Sequence, residues 1–200
     1  MPVDPPEIPI EPPKELAFQF NALRGISIQF YANYEQALAA LFSHLMGAPP
    51  DFTGVAFFRI NNARARNAMI ERLLKKRQGD TYNIFWNSLV KLLGQLDGSR
   101  NQIVHWNVVN NISLENGQPK YVLTLRPPNH WDETPNTPEI TEDGIKEFIY
   151  KCHYLTRSVN VFNSVVSGNL GERLPDAWRD ICREPVPYPP PESHLLYLTP

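Results

Sequence analysis

The residues best suited to chemistry lie close together, in residues 99–106. Arg100 is followed at once by Asn101, and His105 comes five positions after the arginine. A guanidinium donates several charge-assisted hydrogen bonds to an anionic oxygen. An imidazole can take up or release a proton near neutral pH. Side chains of these types at this spacing could bind a phosphate group and move protons around it.

A helix start is predicted at the same place. Ser99 with Gln102 three positions later fits a capping box, and residues 97–98, Asp-Gly, favour a break from the preceding helix. With Ser99 as the N-cap, Asn101 and His105 share one helix face. The unpaired backbone N–H groups of such a start suit an anion. We therefore expect a short motif helix whose N-terminus binds phosphate.

A second candidate surface is basic. Seven of the 19 lysines and arginines fall in residues 59–77, where Glu71 is the single acid. This composition favours a surface that follows the phosphates of RNA. The alternative is an ordinary solvated helix face, with its cations near the C-terminal end. The candidate RNA-binding residues, together with Ser99, are Arg64, Arg66, Arg72, Lys75 and Lys76.

Other kinds of site find little support. The chain has no Gly-rich phosphate loop, no His-Glu-x-x-His helix and no Cys-x-x-Cys pair, so we expect neither a metal nor a cofactor. A polar aromatic segment at residues 129–132 is a weaker candidate for ligand contact. The other histidines are expected to be ordinary core or surface residues; they are His44, His130, His153 and His194.

Length, charge and hydropathy limit the class of protein. Two hundred residues suit one domain, and the net charge of −2 excludes a globally basic nucleic-acid binder. No apolar run approaches the roughly 20 residues that span a bilayer. The start of the chain lacks the pattern of a signal peptide. Two cysteines imply no disulfide framework. We expect a cytoplasmic protein that does not cross a membrane.

Hydrophobic periodicity predicts the elements that position these residues. Apolar residues recur every three or four positions over 14–46, 55–78 and 81–96, which is typical of amphipathic helices. Two β-rich runs around Asn-Gly predict a hairpin at about 108–126. A last long helix is expected from an N-cap at Thr141 to about residue 168. The sequence thus predicts a mainly α fold, a four- to five-helix up-and-down bundle with a small inserted β-hairpin.

Proline marks the limits of the helical domain. Six of the 20 prolines lie in residues 2–13 and seven in residues 175–200. We expect a Pro-rich N-terminal arm at 1–13, a helical domain at 14–170 and a Pro-rich C-terminal tail at 171–200. The apolar residues near the end of the tail could dock onto the body or onto a partner.

An arginine, a polar residue and a histidine after four intervening residues, within a helical domain, resemble the HEPN superfamily (higher eukaryotes and prokaryotes nucleotide-binding). The matching residues are Arg100, Asn101 and His105, and the resemblance covers roughly residues 14–168. It implies a metal-independent endoribonuclease in a toxin or anti-phage defence role, with an antitoxin or a defence-system protein as its partner. In such an enzyme the ribose 2′-hydroxyl attacks the adjacent phosphorus and leaves a 2′,3′-cyclic phosphate.

The resemblance also implies roles for the three residues. His105 would move protons, Arg100 would stabilise charge on the phosphoryl oxygens, and Asn101 would orient the imidazole or donate to phosphate. Because one motif supplies one histidine, a homodimer with a composite active site is expected. Two alternatives remain: a non-catalytic HEPN-like module that binds nucleotide, RNA or a partner, and an unrelated helical interaction protein.

Overall fold

The fold is a helical bundle with one small β-hairpin, as predicted. The computed structural model describes residues 11–128, 138–168 and 175–197. Among these residues the elements are, in chain order, α1 (Lys14–Met46), α2 (Pro50–Arg59), α3 (Ala63–Gln78), α4 (Asn83–His105), β1 (Asn107–Glu115), β2 (Gln118–Arg126), α5 (Glu142–Ser167) and α6 (Asp176–Ile181). No helix within them is long and apolar enough to span a bilayer.

Helices α1 and α5 pack along each other and form the centre of the bundle. The buried stripe of α5 repeats every three or four residues, which gives the helix one continuous apolar face. Thr141 caps its start by accepting a hydrogen bond from the backbone N–H of Gly144 at 3.2 Å. Gly168 ends it in the left-handed conformation. The predictions for α1 and α5 are confirmed.

The single helix predicted over residues 55–78 is wrong. The chain leaves the helical conformation at residues 60–62, between α2 and α3. Asn62 causes the new start, because its side chain accepts a hydrogen bond from the backbone N–H of Ala65 at 3.1 Å. Asparagine competes for backbone groups in this way, which makes it a poor residue inside a helix. Pro50 occupies the first turn of α2, where its missing N–H costs nothing.

The hairpin is confirmed, and its turn has the expected chemistry. Strands β1 and β2 pair antiparallel, and Asn116 and Gly117 connect them with φ of 55° and 77°. Positive φ at both positions is the requirement of the tight turns that favour Asn-Gly. At the root, Leu123 and Leu125 are buried in the main core, whereas Leu114 near the tip is exposed. The root of the hairpin therefore belongs to the body.

The Pro-rich tail also lies against the body. Cys182, Val186 and Leu196 are buried in the same core as the α5 stripe. The backbone N–H of Val186 donates to the Ser88 hydroxyl of α4 at 2.8 Å. The domain boundary predicted at residue 170, most of the N-terminal arm and the candidate segment 129–132 lie outside the described residues.

Candidate functional site

The motif lies near the C-terminal end of α4, which corrects the predicted helix start. Helix α4 runs unbroken from Asn83 to His105, so Ser99 is inside it. The Ser99 hydroxyl donates to the carbonyl of Gln95 at 3.2 Å and caps nothing. The capping box and the anion site built on its backbone N–H groups are both wrong, and Ser99 loses its predicted role in a phosphate-binding helix start.

A continuous apolar stripe explains why the helix does not break at Asp-Gly. Leu89, Leu93, Leu96 and Ile103 are all buried, and their spacing continues straight through position 100. Gly98 costs about 1 kcal/mol relative to alanine in a helix. Burying a single leucine or isoleucine side chain contributes about 1.5–3 kcal/mol. The packing on both sides of the glycine therefore outweighs its low helix propensity.

Arg24 of α1 fixes the end of α4. Its guanidinium donates three hydrogen bonds to backbone carbonyls, to Ile103 at 2.7 Å, Val104 at 2.8 Å and Trp106 at 3.1 Å. Carbonyls at a helix C-terminus lack partners within the helix, and this end of the dipole attracts cations. Arg24 thus positions the turn that carries His105. The sequence offers no local signal for it, because it lies about 80 residues from its partners.

Arg100 occupies a core-facing position of the α4 stripe and is half-buried. Its guanidinium carbon lies 5.7 Å from the centre of the Tyr31 ring, within the range of a cation–π contact. Its Nη1 donates to Asn101 Oδ1 at 3.2 Å. Its buried Nε has no hydrogen-bond partner. The arginine is therefore held against an aromatic face with one donor still unused.

Asp97 and Tyr31 form a polar pair beside Arg100. The Tyr31 hydroxyl donates to Asp97 Oδ1 at 2.7 Å. Burial raises the pKa of Asp97, and the hydrogen bond from Tyr31 and the nearby guanidinium groups of Arg66 and Arg100 offset this only in part. Burial and the Asp97 carboxylate raise the pKa of Tyr31 as well, so Tyr31 stays a neutral donor.

A cavity of about 390 Å³ opens next to this pair. Its charged walls are Glu35 of α1, Arg66 of α3, and Asp97 and Arg100 of α4. Arg66 Nη2 pairs with Glu35 Oε1 at 2.6 Å, and the charges of the four side chains cancel. The volume falls in the range of small-molecule sites.

The cavity also has an aromatic and amide wall. Phe58 and Asn61, from the end of α2 and the segment that follows it, line one side. Asn101 of α4 also lines the cavity. The break between α2 and α3, which hydrophobic periodicity did not predict, is thus what brings Asn61 to the cavity. The two neighbouring asparagines at 61–62 were the available signal.

Two of the three predicted catalytic side chains line this cavity, and the third lies beyond it. Arg100 and Asn101 are lining residues. His105 is exposed at the last position of α4, outside the set of described residues that line the cavity. It follows Asn101 on the same helix face, about 6 Å farther along the axis. The motif therefore extends from a cavity to an exposed histidine.

The structure separates Arg66 from the other predicted RNA-binding residues of α3. Arg66 lies about 200° around the helix from Arg64, so it turns inward to Glu35 while Arg64 faces solvent. Arg72, Lys75 and Lys76 are exposed with Arg64 on one broad face. Lys75 pairs with an exposed aspartate at 3.6 Å, an arrangement that contributes little in solvent. A role of this face in RNA binding stays a prediction.

The remaining reactive side chains are placed as ordinary structural residues. His153 is exposed against the Phe30 ring, and burial lowers the pKa of half-buried His194. Burial raises the pKa of the Cys152 and Cys182 thiols to about 12. Over residues 11–128, 138–168 and 175–197, His, Cys, Asp and Glu side chains form no group of three that could hold a metal ion.

No protein-family model, no curated protein and no solved structure matches the chain. The resemblance to the HEPN superfamily accordingly rests on Arg100, Asn101 and His105 and on the helical surroundings.

Proposed function

We propose that the protein is a metal-independent endoribonuclease of HEPN type. One observation carries the proposal: Arg100, Asn101 and His105 occupy the last turns of a single helix whose end Arg24 fixes. The histidine is exposed, and the arginine packs against the Tyr31 ring and lines an open cavity. These are the properties needed in a group that moves protons and a group that stabilises phosphoryl charge.

The reaction follows from these groups. The ribose 2′-oxygen forms a bond to phosphorus as the bond from phosphorus to the 5′-oxygen breaks. His105 accepts the proton of the 2′-hydroxyl, and a second, protonated imidazole gives a proton to the leaving 5′-oxygen. Arg100 stabilises the charge on the non-bridging oxygens, and Asn101 donates to the same group. The products are a 2′,3′-cyclic phosphate and a 5′-hydroxyl.

The second imidazole is proposed to come from His105 of another copy of the chain. His105 and Asn101 are both exposed in the single chain, so a second copy can reach them. A homodimer that brings two motifs together supplies both an acid and a base. In analytical ultracentrifugation we expect a dimer, and we expect cleavage per chain to fall when the protein is diluted below its dissociation constant. Full activity in a strictly monomeric sample would contradict the composite site.

Cleavage of mixed RNA in excess chelator tests the reaction itself. We expect products with cyclic-phosphate ends, and His105→Ala should lower the rate about 10²- to 10⁴-fold, the range for loss of a general acid–base group. Arg100→Ala should also abolish most activity. His153→Ala is the matched control, because His153 is exposed on α5 against the Phe30 ring and is not one of the residues that line the cavity. RNA bound without cleavage would indicate a non-catalytic module instead.

We further propose that the nuclease acts in the cytoplasm as a toxin or in anti-phage defence, with an antitoxin or defence protein as a partner. Growth arrest on expression, relieved by His105→Ala, supports that role. Normal growth with active nuclease present in the cell would argue against it.

A further inference from the structure

The cavity beside the motif is lined by acidic as well as basic side chains, and a phosphate site does not need the acidic ones. A phosphate inside it would lie next to the carboxylates of Glu35 and Asp97, which line the same 390 Å³ as the two arginines. Because the charges of the four side chains cancel, the cavity offers no net attraction to an anion. The interior suits an uncharged polar group, and the phosphate belongs at the rim of the cavity, on the side of Arg100, Asn101 and the exposed His105.

We propose that this cavity binds the guanine base of the nucleotide at the cleavage site. This inference rests on the proposed function, because it names the base beside the bond that Arg100 and His105 act on. A nucleotide with its phosphate at the rim would direct its base into the opening that Arg100 and Asn101 line.

The donors and acceptors of the cavity match guanine among the four bases. The Watson–Crick edge of guanine presents two neighbouring N–H donors beside a carbonyl oxygen. Carboxylates accept such N–H groups, and guanidinium groups donate to the O6 and N7 atoms of guanine. Asp97 and Glu35 supply the acceptors, and the guanidinium group of Arg66, which lines the same cavity, supplies donors.

The cavity also offers a surface for the base to stack on. Phe58 lines it and is 49% exposed, so half of the side chain is free for contact. Phe52, on the same helix, is 73% exposed but is not one of the lining residues. An aromatic side chain that stacks on a base strengthens binding whatever the base. Phe58 thus contributes affinity, and the carboxylates contribute selectivity.

Calorimetric titration of the full chain with the four nucleoside 3′-monophosphates tests the inference. The wild-type protein is used, because a nucleoside 3′-monophosphate has no 5′-oxygen leaving group and cannot be cleaved by the proposed reaction. We expect guanosine 3′-monophosphate to bind about tenfold or more tightly than the other three, the discrimination typical of a bidentate contact. Equal affinity for all four nucleotides would overturn the proposal.

Three substitutions assign the contacts. Asp97→Asn should lower guanosine affinity about tenfold and reduce the preference for it, because an amide replaces one acceptor. Phe58→Ala should weaken the binding of all four nucleotides about fivefold or more, whereas Phe52→Ala should leave all four affinities unchanged. Since Phe58 is half-exposed, its substitution tests the pocket even if Asp97→Asn fails to fold. Guanosine binding that neither Asp97→Asn nor Phe58→Ala alters would place the site elsewhere.

The two proposals fail in different ways. Guanosine selectivity in a protein that does not cleave RNA would uphold the base pocket and refute the nuclease. Cleavage of RNA without guanosine selectivity would uphold the nuclease and refute the base pocket.

Discussion

Substitution of Arg24 by methionine tests whether the first helix holds the motif in place. Methionine keeps an unbranched stem of similar volume but removes the guanidinium and with it the three hydrogen bonds to Ile103, Val104 and Trp106. These carbonyls lie where α4 ends, so they have no helical donors to replace Arg24. We expect both lower stability and a less ordered turn at His105.

The expected cost follows from the number of bonds. A hydrogen bond contributes about 1 kcal/mol net, and bonds to a charged donor about 1.5–3 kcal/mol. Arg24 is half-buried, so water can hydrate some of the carbonyls once the guanidinium is removed. We therefore use about 1 kcal/mol for each bond. Three bonds then give about 3 kcal/mol of lost unfolding free energy. Arg24→Lys should retain only a part of this stabilisation, because an ammonium group still donates hydrogen bonds but cannot match the planar geometry of the guanidinium.

Urea unfolding at neutral pH measures the loss. Arg72→Met is the matched control, since Arg72 is exposed on α3 and its substitution should change stability by less than about 0.5 kcal/mol. RNA cleavage by Arg24→Met should also fall at temperatures where the variant is still folded. If Arg24→Met costs no more than Arg72→Met, the guanidinium does not cap α4 and the reasoning fails.

Three further predictions concern the cavity, the core and the turn of the hairpin. Because burial raises the pKa of Asp97, the folded state holds more protons than the unfolded state, and this residue makes stability fall as pH rises above about 4. The urea midpoint of Asp97→Asn should therefore rise relative to that of the wild type between pH 3.5 and pH 7. A difference that stays constant with pH would contradict a raised pKa of Asp97. Cys152 and Cys182 are fully buried, so iodoacetamide should modify them only after unfolding, as mass spectrometry would show; rapid labelling of native protein would refute their burial. Gly117→Ala should cost about 1 kcal/mol or more in thermal unfolding, since alanine is strained at φ of 77°; an unchanged midpoint would contradict the turn geometry.

The sequence predicted the elements whose signals are local. The apolar stripe of α5, the Thr141 cap and the Asn-Gly turn each depend on residues close together in the chain, and each was predicted correctly. The helix start at Ser99 failed because a local capping pattern competed with the packing of Leu96 and Ile103 across it. Local chemistry suggested a break, and burial decided against it.

The cavity beside the motif could be predicted only in part, for a related reason. The sequence singled out Arg100 and Asn101, whereas the other walls of the cavity come from α1, α2, α3 and the segment between α2 and α3. Arg66 was singled out as a surface cation, yet its pairing with Glu35 depends on how α3 rotates against α1. Arg24 is about 80 residues from the carbonyls that it holds. Contacts between residues so far apart in the chain leave no periodic pattern in a single sequence.

At position 100, in the apolar stripe of α4, the side chain that would favour stability differs from the side chain that the proposed reaction needs. A leucine there would continue the series of Leu96 and Ile103 and would leave no buried donor without a partner. Screening random variants for thermal resistance alone would therefore favour the loss of this arginine, and the most heat-resistant proteins so obtained would lack the guanidinium of the motif. Under the proposed function, any effort to make this fold more stable has to keep the arginine at position 100.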